Sequence, residues 1–148
     1  MICKFSIPGE PKGKGRPRMT KTGHTYTPND TVLYEQQVRA EYCRQCNFMF
    51  PKDCMLDVRV FAYYGIPKSA SQKKRRMMLA KVIRPTKKPD WDNVGKIVCD
   101  SLNGIAYHDD AQIVDSMVRK FYSESPRVDV VVRDYNPIKE QEGRYERS

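Results

Sequence analysis

The sequence predicts a single α+β domain, because four strand patterns and three helix patterns share only 148 residues. Apolar residues alternate in the strand segments and recur at helical spacing in the helix segments, and no pattern repeats along the chain. A chain of this length forms about one domain and can bury a core. We assign residues 1–135 to this domain and residues 136–148 to a polar C-terminal tail.

The first half of the chain predicts two strands and one helix. Residues 2–7 alternate between apolar and polar side chains, and residues 54–64 do so over a longer stretch. Asn29 or Asp30 can cap a helix that runs to about Cys46. The segment between the first strand and this helix is rich in proline, glycine and basic residues, which indicates a loop.

The second half predicts two helices followed by two strands. Ser69 can cap a helix over about residues 70–82, and a third helix begins near Asp92. The third helix carries an apolar stripe formed by Val94, Ile97, Val98 and Leu102. Residues 112–122 and 127–134 then alternate as strands, and the Ser-Glu-Ser-Pro segment between them predicts a hairpin turn.

The net charge of +9 is divided unevenly along the chain. Residues 1–89 carry a charge of +13, whereas residues 90–148 carry −4. An extended basic surface favours nucleic acid, because binding releases counterions from the phosphates. The first segment therefore predicts a DNA-binding surface, and the second holds most of the carboxylates.

Three basic groups are the candidate DNA contacts. They lie in the loop after the first strand, on the second predicted helix and just before the carboxylates. Their members are Lys12, Lys14, Arg16 and Arg18, then Lys73, Lys74, Arg75 and Arg76, then Lys87 and Lys88. The loop and the helix run could instead be solvated surface, which is common for both kinds of segment.

Neither a membrane span nor secretion is indicated. No apolar run approaches about 18 residues, and the first residues lack a signal-peptide core, so we expect a cytoplasmic protein. Cys43 and Cys46 form a CxxC, but a structural zinc site needs two further ligands that no recognisable spacing supplies. An odd count of five cysteines without a secretion signal favours reduced thiols.

A window of carboxylates interrupts this basic protein. Asp90 and Asp92 flank Trp91, and Asp109 and Asp110 follow the third helix. Carboxylates that meet in space raise each other's pKa unless a cation lies between them, and Mg²⁺ prefers such oxygen ligands. Residues two apart in an extended segment point to one side, so Asp90 and Asp92 could reach one ion. Of Asp109 and Asp110, we expect one to bind metal, because adjacent side chains diverge.

Lys96 and Asp100 lie on the third helix, four and eight residues after Asp92. Lys96 shares a helix face with Asp92, so it could neutralise charge that develops on a phosphate, or only pair with that aspartate in solvent. Asp100 is two turns along and is expected to be structural. The DxD pattern alone is weak, since sugar-nucleotide transferases and helix caps contain it, but Lys96 and the later aspartates favour phosphodiester hydrolysis.

These motifs resemble the RusA-type Holliday-junction resolvases, small endodeoxyribonucleases common in phages and prophages. The resemblance covers about residues 3–134 and rests mainly on Lys88-Pro-Asp90-Trp-Asp92-Asn93-Val-Gly-Lys96, Asp100-Ser-Leu-Asn-Gly104 and His108-Asp109-Asp110-Ala-Gln-Ile113. It implies metal ligands at Asp90, Asp92 and Asp110, with Asp109 as a weaker candidate, and a catalytic lysine at Lys96. It also implies a homodimer of RusA-like domains, each with a mixed, mainly antiparallel sheet packed with about three helices.

The implied activity is hydrolysis, with Mg²⁺ or Mn²⁺, of two symmetric phosphodiester bonds in a four-way DNA junction during recombination and repair. The protein would act in a bacterial host cell and be encoded by a phage or prophage. A twofold dimer suits a junction of near-twofold symmetry. Trp91 replaces a residue that is often aliphatic, and we expect it to pack rather than to insert between bases. Two alternatives stay open: a metal-dependent nuclease for other branched DNA, and a DNA-binding protein without catalysis.

Overall fold

The computed structural model describes residues 1–15, 18–26 and 29–138. Two short strands form a separate antiparallel pair, and the other elements build the main body. In chain order the elements are β1 (Ile2–Pro8), β2 (Arg18–Met19), β3 (Thr25–Tyr26), α1 (Asn29–Gln45), β4 (Leu56–Gly65), α2 (Gln72–Leu79), α3 (Trp91–Ser101), a 3₁₀ turn (Asp110–Gln112), β5 (Ile113–Ser123) and β6 (Arg127–Asp134).

Four long strands form one mixed sheet in the order β1, β6, β4, β5. Strand β6 runs antiparallel to both β1 and β4, whereas β4 and β5 are parallel. The expected α+β domain, with a mixed, mainly antiparallel sheet and three helices, is confirmed.

The predicted hairpin between the last two strands is wrong. Strands β5 and β6 are neighbours in sequence, but β4 lies between them in the sheet. The turn at residues 123–126 therefore carries the chain past the end of β4, where the Gly9 N–H donates to the Pro126 carbonyl at 3.0 Å. Alternation identifies a strand but does not identify its partner.

The core lies between the sheet and helices α1 and α3. Strand β4 buries the apolar residues of its alternating pattern, and β6 buries three valines beside them. Helix α3 buries the predicted stripe and packs against α1 and β5. Gly95 allows this close approach, because a Cβ at that position would lie 3.0 Å from Cγ2 of Val118.

Helix α2 begins later than the sequence suggests. Its N-cap is Ser71 rather than Ser69, and the Ser71 hydroxyl oxygen accepts a hydrogen bond from the Lys74 N–H at 3.2 Å. The preceding residues form a turn instead, in which the Ala70 N–H donates to the Pro67 carbonyl. No helix in the described ranges has both the length and the apolar character that crossing a membrane requires.

One cysteine pair departs from the expectation of reduced thiols. Cys3 of β1 and Cys46, just after α1, form a disulfide, and their Cα atoms are 5.9 Å apart. The pairing joins residues 43 positions apart, so it depends on α1 packing beside β1 and not on local spacing. Cys43, Cys54 and Cys99 remain thiols.

Asp57 is a buried charge on the face of β4 that lies away from the core pattern. Its Oδ2 atom lies 3.2 Å from Nε of Arg59 and 2.7 Å from Nε of Arg133 on β6. This acid therefore joins two neighbouring strands.

Replacing Asp57 with alanine should lower the free energy of unfolding by about 2 kcal/mol, because two arginines lose their shared acceptor and the pairs are only partly exposed. Chemical denaturation followed by circular dichroism measures the change. Asp115→Ala is the matched control, since Asp115 is exposed and lies opposite Asp57 in the register of β4 and β5. Equal stability of the two variants would contradict the prediction.

Candidate active site at the start of helix α3

The predicted motif surrounds the first turn of α3. Asp90 is the N-cap residue in extended conformation, and the helix begins at Trp91. The Asp90 side chain makes no capping hydrogen bond, so its oxygens are left to other partners. Asp92 lies in the first turn, where the positive end of the helix dipole stabilises a carboxylate.

The segment just before α3 is held against the sheet by two hydrogen bonds. The Tyr64 hydroxyl donates to the Pro89 carbonyl at 2.5 Å, and Nζ of Lys120 donates to the Lys87 carbonyl at 2.7 Å. Burial raises the pKa of Tyr64 to about 12, and the nearby Asp90 carboxylate contributes to the rise. These contacts place Asp90 at the ends of β4 and β5.

Asp90 and Asp92 line different cavities. Asp92 lines a cavity of about 290 Å³, which we call the acidic cavity; its charged residues are Asp92, Lys96, Asp100 and Asp110. Asp90 lines a cavity of about 740 Å³, which we call the basic cavity; its lysines are Lys12, Lys14 and Lys88. Asp90 is the N-cap in extended conformation and Asp92 lies in the first turn, and their joint binding of one ion stays a prediction.

The acidic cavity brings together carboxylates from two parts of the chain. Asp92 and Asp100 lie on one face of α3, and Asp110 enters from the 3₁₀ turn. Burial raises the pKa of Asp110, and the neighbouring carboxyls of Asp109 and Asp100 raise it further. A bound cation would relieve this repulsion.

Asp109 and Asp110 have different surroundings. Oδ1 of Asp109 accepts the Ala111 N–H at 3.1 Å, which lowers the pKa of Asp109 and caps the 3₁₀ turn. The Asp110 N–H donates to Oδ1 of Asn103 at 2.8 Å, and Asp110 lines the acidic cavity. This difference agrees with Asp109 as the weaker candidate ligand, although the metal roles of both stay predictions.

Asp100 is the site residue that sequence reasoning missed. Its distance of two turns from Asp92 predicts a place apart from the cavity, yet Asp110 returns beside it, and its structural role stays a prediction. Gly104, with a φ of +77°, allows this return, and its N–H donates to the Tyr107 carbonyl at 2.8 Å. The recurrence of charged residues every four positions along one helix face was the available signal.

Lys14 links the basic cavity to the acidic one. Its Nζ lies 2.7 Å from Oε1 of Glu35 on α1 and 3.6 Å from Oδ2 of Asp100. Its backbone N–H donates to the Asn93 carbonyl at 3.0 Å. The side chain is therefore engaged by two acids, and its contact with DNA stays a prediction.

The loop at residues 11–15 reaches α3 because Gly13 has no side chain. A Cβ on Gly13 would lie 2.9 Å from Cβ of Pro89 and 3.0 Å from Cβ of Asn93. The same approach brings Lys12 beside Lys88 in the basic cavity. Two of the three predicted basic groups thus meet at Asp90.

The third predicted basic group lies on α2 and is mostly exposed to solvent. Lys73, Lys74 and Arg76 are exposed, whereas Arg75 is half-buried and lies 3.4 Å from Oε1 of Glu124. Of the remaining predicted contacts, Arg16 lies outside the described residues, Arg18 belongs to β2, and Nζ of Lys87 lies 6.0 Å from the ring centre of Tyr122. Their DNA contacts stay predictions.

A divalent cation is compatible with the donors of the acidic cavity. Across residues 1–15, 18–26 and 29–138, no three His, Cys, Asp or Glu side chains form a group that could hold a metal ion. Mg²⁺ commonly takes only one or two carboxylates and keeps several waters. Asp92 and Asp110 supply such oxygens, and a cation would offset the repulsion that Asp109 and Asp100 exert on Asp110.

Comparison with known proteins identifies the class as a DNA-cutting hydrolase. The family model described as endodeoxyribonuclease RusA matches residues 8–133, which include all the proposed site residues. The chain therefore belongs to the RusA endodeoxyribonuclease family, a family of Holliday-junction resolvases. An uncharacterised protein of Bacillus subtilis strain 168, YqaN, is 40% identical over 141 residues, which cover 90% of this chain and 98% of that protein.

Gly13→Ala should lower the free energy of unfolding by about 1–2 kcal/mol, because the added methyl group overpacks the contact with Pro89 and Asn93. Chemical denaturation measures the loss. Lys12→Ala, which adds no atoms at the neighbouring exposed position, is the control. A Gly13→Ala protein as stable as this control would show that the loop does not pack on α3 in solution.

Proposed function

We propose that this protein is a Mg²⁺-dependent endodeoxyribonuclease that resolves four-way DNA junctions by paired, symmetric hydrolysis of phosphodiester bonds in recombination and repair. Membership of the RusA family supports the endonuclease class. The observation that carries the proposal is the acidic cavity, where Lys96 shares one space with Asp92 and Asp110. Mn²⁺ presents similar oxygen preferences and is a possible substitute.

The carboxylates are the proposed metal ligands. Asp92 and Asp110 would hold the ion, and the family resemblance adds Asp90 from the neighbouring basic cavity. When bound, Mg²⁺ supplies an activated water and stabilises the leaving oxygen. Asp109 holds the turn that presents Asp110, through its hydrogen bond to the Ala111 N–H.

Lys96 is proposed to stabilise the phosphate during cleavage. It lies on α3 one turn after Asp92 and lines the same cavity. An ammonium group placed there offsets the negative charge that develops on the phosphoryl oxygens in the transition state.

The lysines of the basic cavity are proposed to guide a DNA strand to this negatively charged site. Lys12 and Lys88 lie beside Asp90, so phosphates flanking the cut can be neutralised next to the carboxylates. The exposed cations of α2 extend the same positive character. A homodimer would present two such sites to the two strands that are cut.

Asp92→Asn and Lys96→Ala should each lower the rate of junction cleavage by at least about 100-fold, because each removes charge stabilisation at the reacting phosphate. Both should bind a synthetic four-way junction nearly as well as the natural sequence does. Gel analysis of a labelled junction with Mg²⁺, with EDTA as the metal-free arm, measures cleavage, and a mobility shift measures binding.

Asp53→Asn and Lys52→Ala are the matched controls, since they make the same charge changes at exposed positions outside both cavities. Full cleavage by either site variant would refute the site assignment. Binding without cleavage by the unaltered protein would favour a non-catalytic DNA-binding protein, and preferential cutting of flaps or forks would favour another branched substrate.

The double variant Lys12→Ala, Lys88→Ala should reduce the slope of log affinity against log salt by about 2, because each lost phosphate contact removes about 0.9. Titrations of the junction at several salt concentrations give the slope. Lys4→Ala, Lys52→Ala is a control at two exposed lysines. An unchanged slope would remove the basic cavity from the DNA-binding surface.

A further inference from the structure

Trp91 is the single tryptophan of the chain, and the residue is 63% exposed. The expectation that it packs against the protein is therefore wrong. It is the first residue of α3, directly before Asp92, and it lines the acidic cavity with that aspartate. A large aromatic surface is thus exposed to solvent at the candidate catalytic centre.

The acidic cavity has an apolar lining as well as a charged one. The apolar lining consists of Val58, Val60, Trp91, Met117 and Val118. Strand β5, which carries Met117 and Val118, is the edge strand of the sheet. The cavity is therefore at the open side of the sheet, where a ligand can approach from solvent.

A nucleotide combines a flat aromatic base with a charged phosphate, which matches the apolar and charged linings of the acidic cavity. Its base has two aromatic faces that stack on tryptophan, and its phosphate needs a cation or an ammonium group. Trp91 and Asp92 line the same cavity, so a base and a phosphate of one short stretch of strand can contact both. The volume of about 290 Å³ is at the lower limit for small-molecule sites, which suits one nucleotide.

We propose that the acidic cavity is a subsite for one nucleotide that leaves its base pair at the branch point, beside the phosphate that is cut, and that Trp91 stacks on its base. The subsite rests on the proposed function, because the phosphate is located by the carboxylates and Lys96. A base inside a duplex is stacked on both sides, whereas a base pair at the branch point can lose a stacking neighbour, so its base enters a pocket at a lower cost. Trp91 would thus favour the branch point of a junction over continuous duplex, with little dependence on base identity.

Fluorescence of the single tryptophan tests the contact directly. The Asp92→Asn protein, which is expected to bind without cutting, is titrated with a four-way junction and with a duplex of the same arm sequence. We expect the junction to change Trp91 emission and to protect it from acrylamide, and a saturating amount of duplex to do so much less. Unchanged emission and acrylamide quenching at full junction occupancy, verified by mobility shift, would overturn the subsite. A change that depends on protein concentration without DNA would also overturn it, because a second copy of the chain would then cover Trp91.

Substitutions separate stacking from a merely structural role. Trp91→Ala should reduce junction affinity by about 10-fold, whereas Trp91→Phe should stay within about threefold of the natural sequence, because stacking on one base accounts for roughly a 5- to 150-fold change in affinity. Duplex binding should be unchanged in both, and Val114→Ala is a control at an exposed apolar residue of β5. Equal junction affinity of Trp91→Ala and the natural sequence would overturn the subsite while junction cutting stands. A natural protein that neither binds nor cuts the junction would overturn the proposed function and the subsite together.

Discussion

Helix α3 packs closely on the edge strand β5, and the positions of the candidate catalytic groups follow from that contact. Gly95 removes the side chain that would collide with Val118, and the apolar stripe of α3 is buried against the core. The helix is therefore held with its charged face along a cavity at the edge of the sheet. Asp92 and Lys96 occupy that face one turn apart, so their separation is set by helix geometry.

Positive side chains around α3 partly compensate the charge of its carboxylates. Burial raises the pKa of Asp110, and the neighbouring carboxyls of Asp109 and Asp100 raise it further, because carboxylates that meet without a cation repel one another. The protein supplies partial compensation through Lys14, which reaches Asp100 while it is held by Glu35. A half-buried lysine between two acids also anchors the loop at residues 11–15 against α3. The contacts of Lys14 thus position part of the basic surface and reduce the negative charge near the acidic cavity.

The two cavities differ in charge, which explains how DNA, a polyanion, could approach the carboxylates of the acidic cavity. Lysines surround Asp90, whereas Asp92 and Asp110 share their cavity with Lys96 and an apolar wall. We propose that phosphates are neutralised in the first cavity and that the second holds a single nucleotide. This division agrees with the proposed action on branched DNA, in which a strand departs from regular duplex geometry at the branch point.

The sequence by itself determined the features that depend on local periodicity and residue chemistry. The alternation of β4, the apolar stripe of α3 and the charge division predicted the elements, and the motif residues predicted the family. Tertiary structure alone decided that β6 lies between β1 and β4, and that Cys3 meets Cys46. It also brought Asp100 beside Asp110. These outcomes depend on contacts between distant segments, and the energy of such contacts is set by packing of the whole core, which no local pattern encodes.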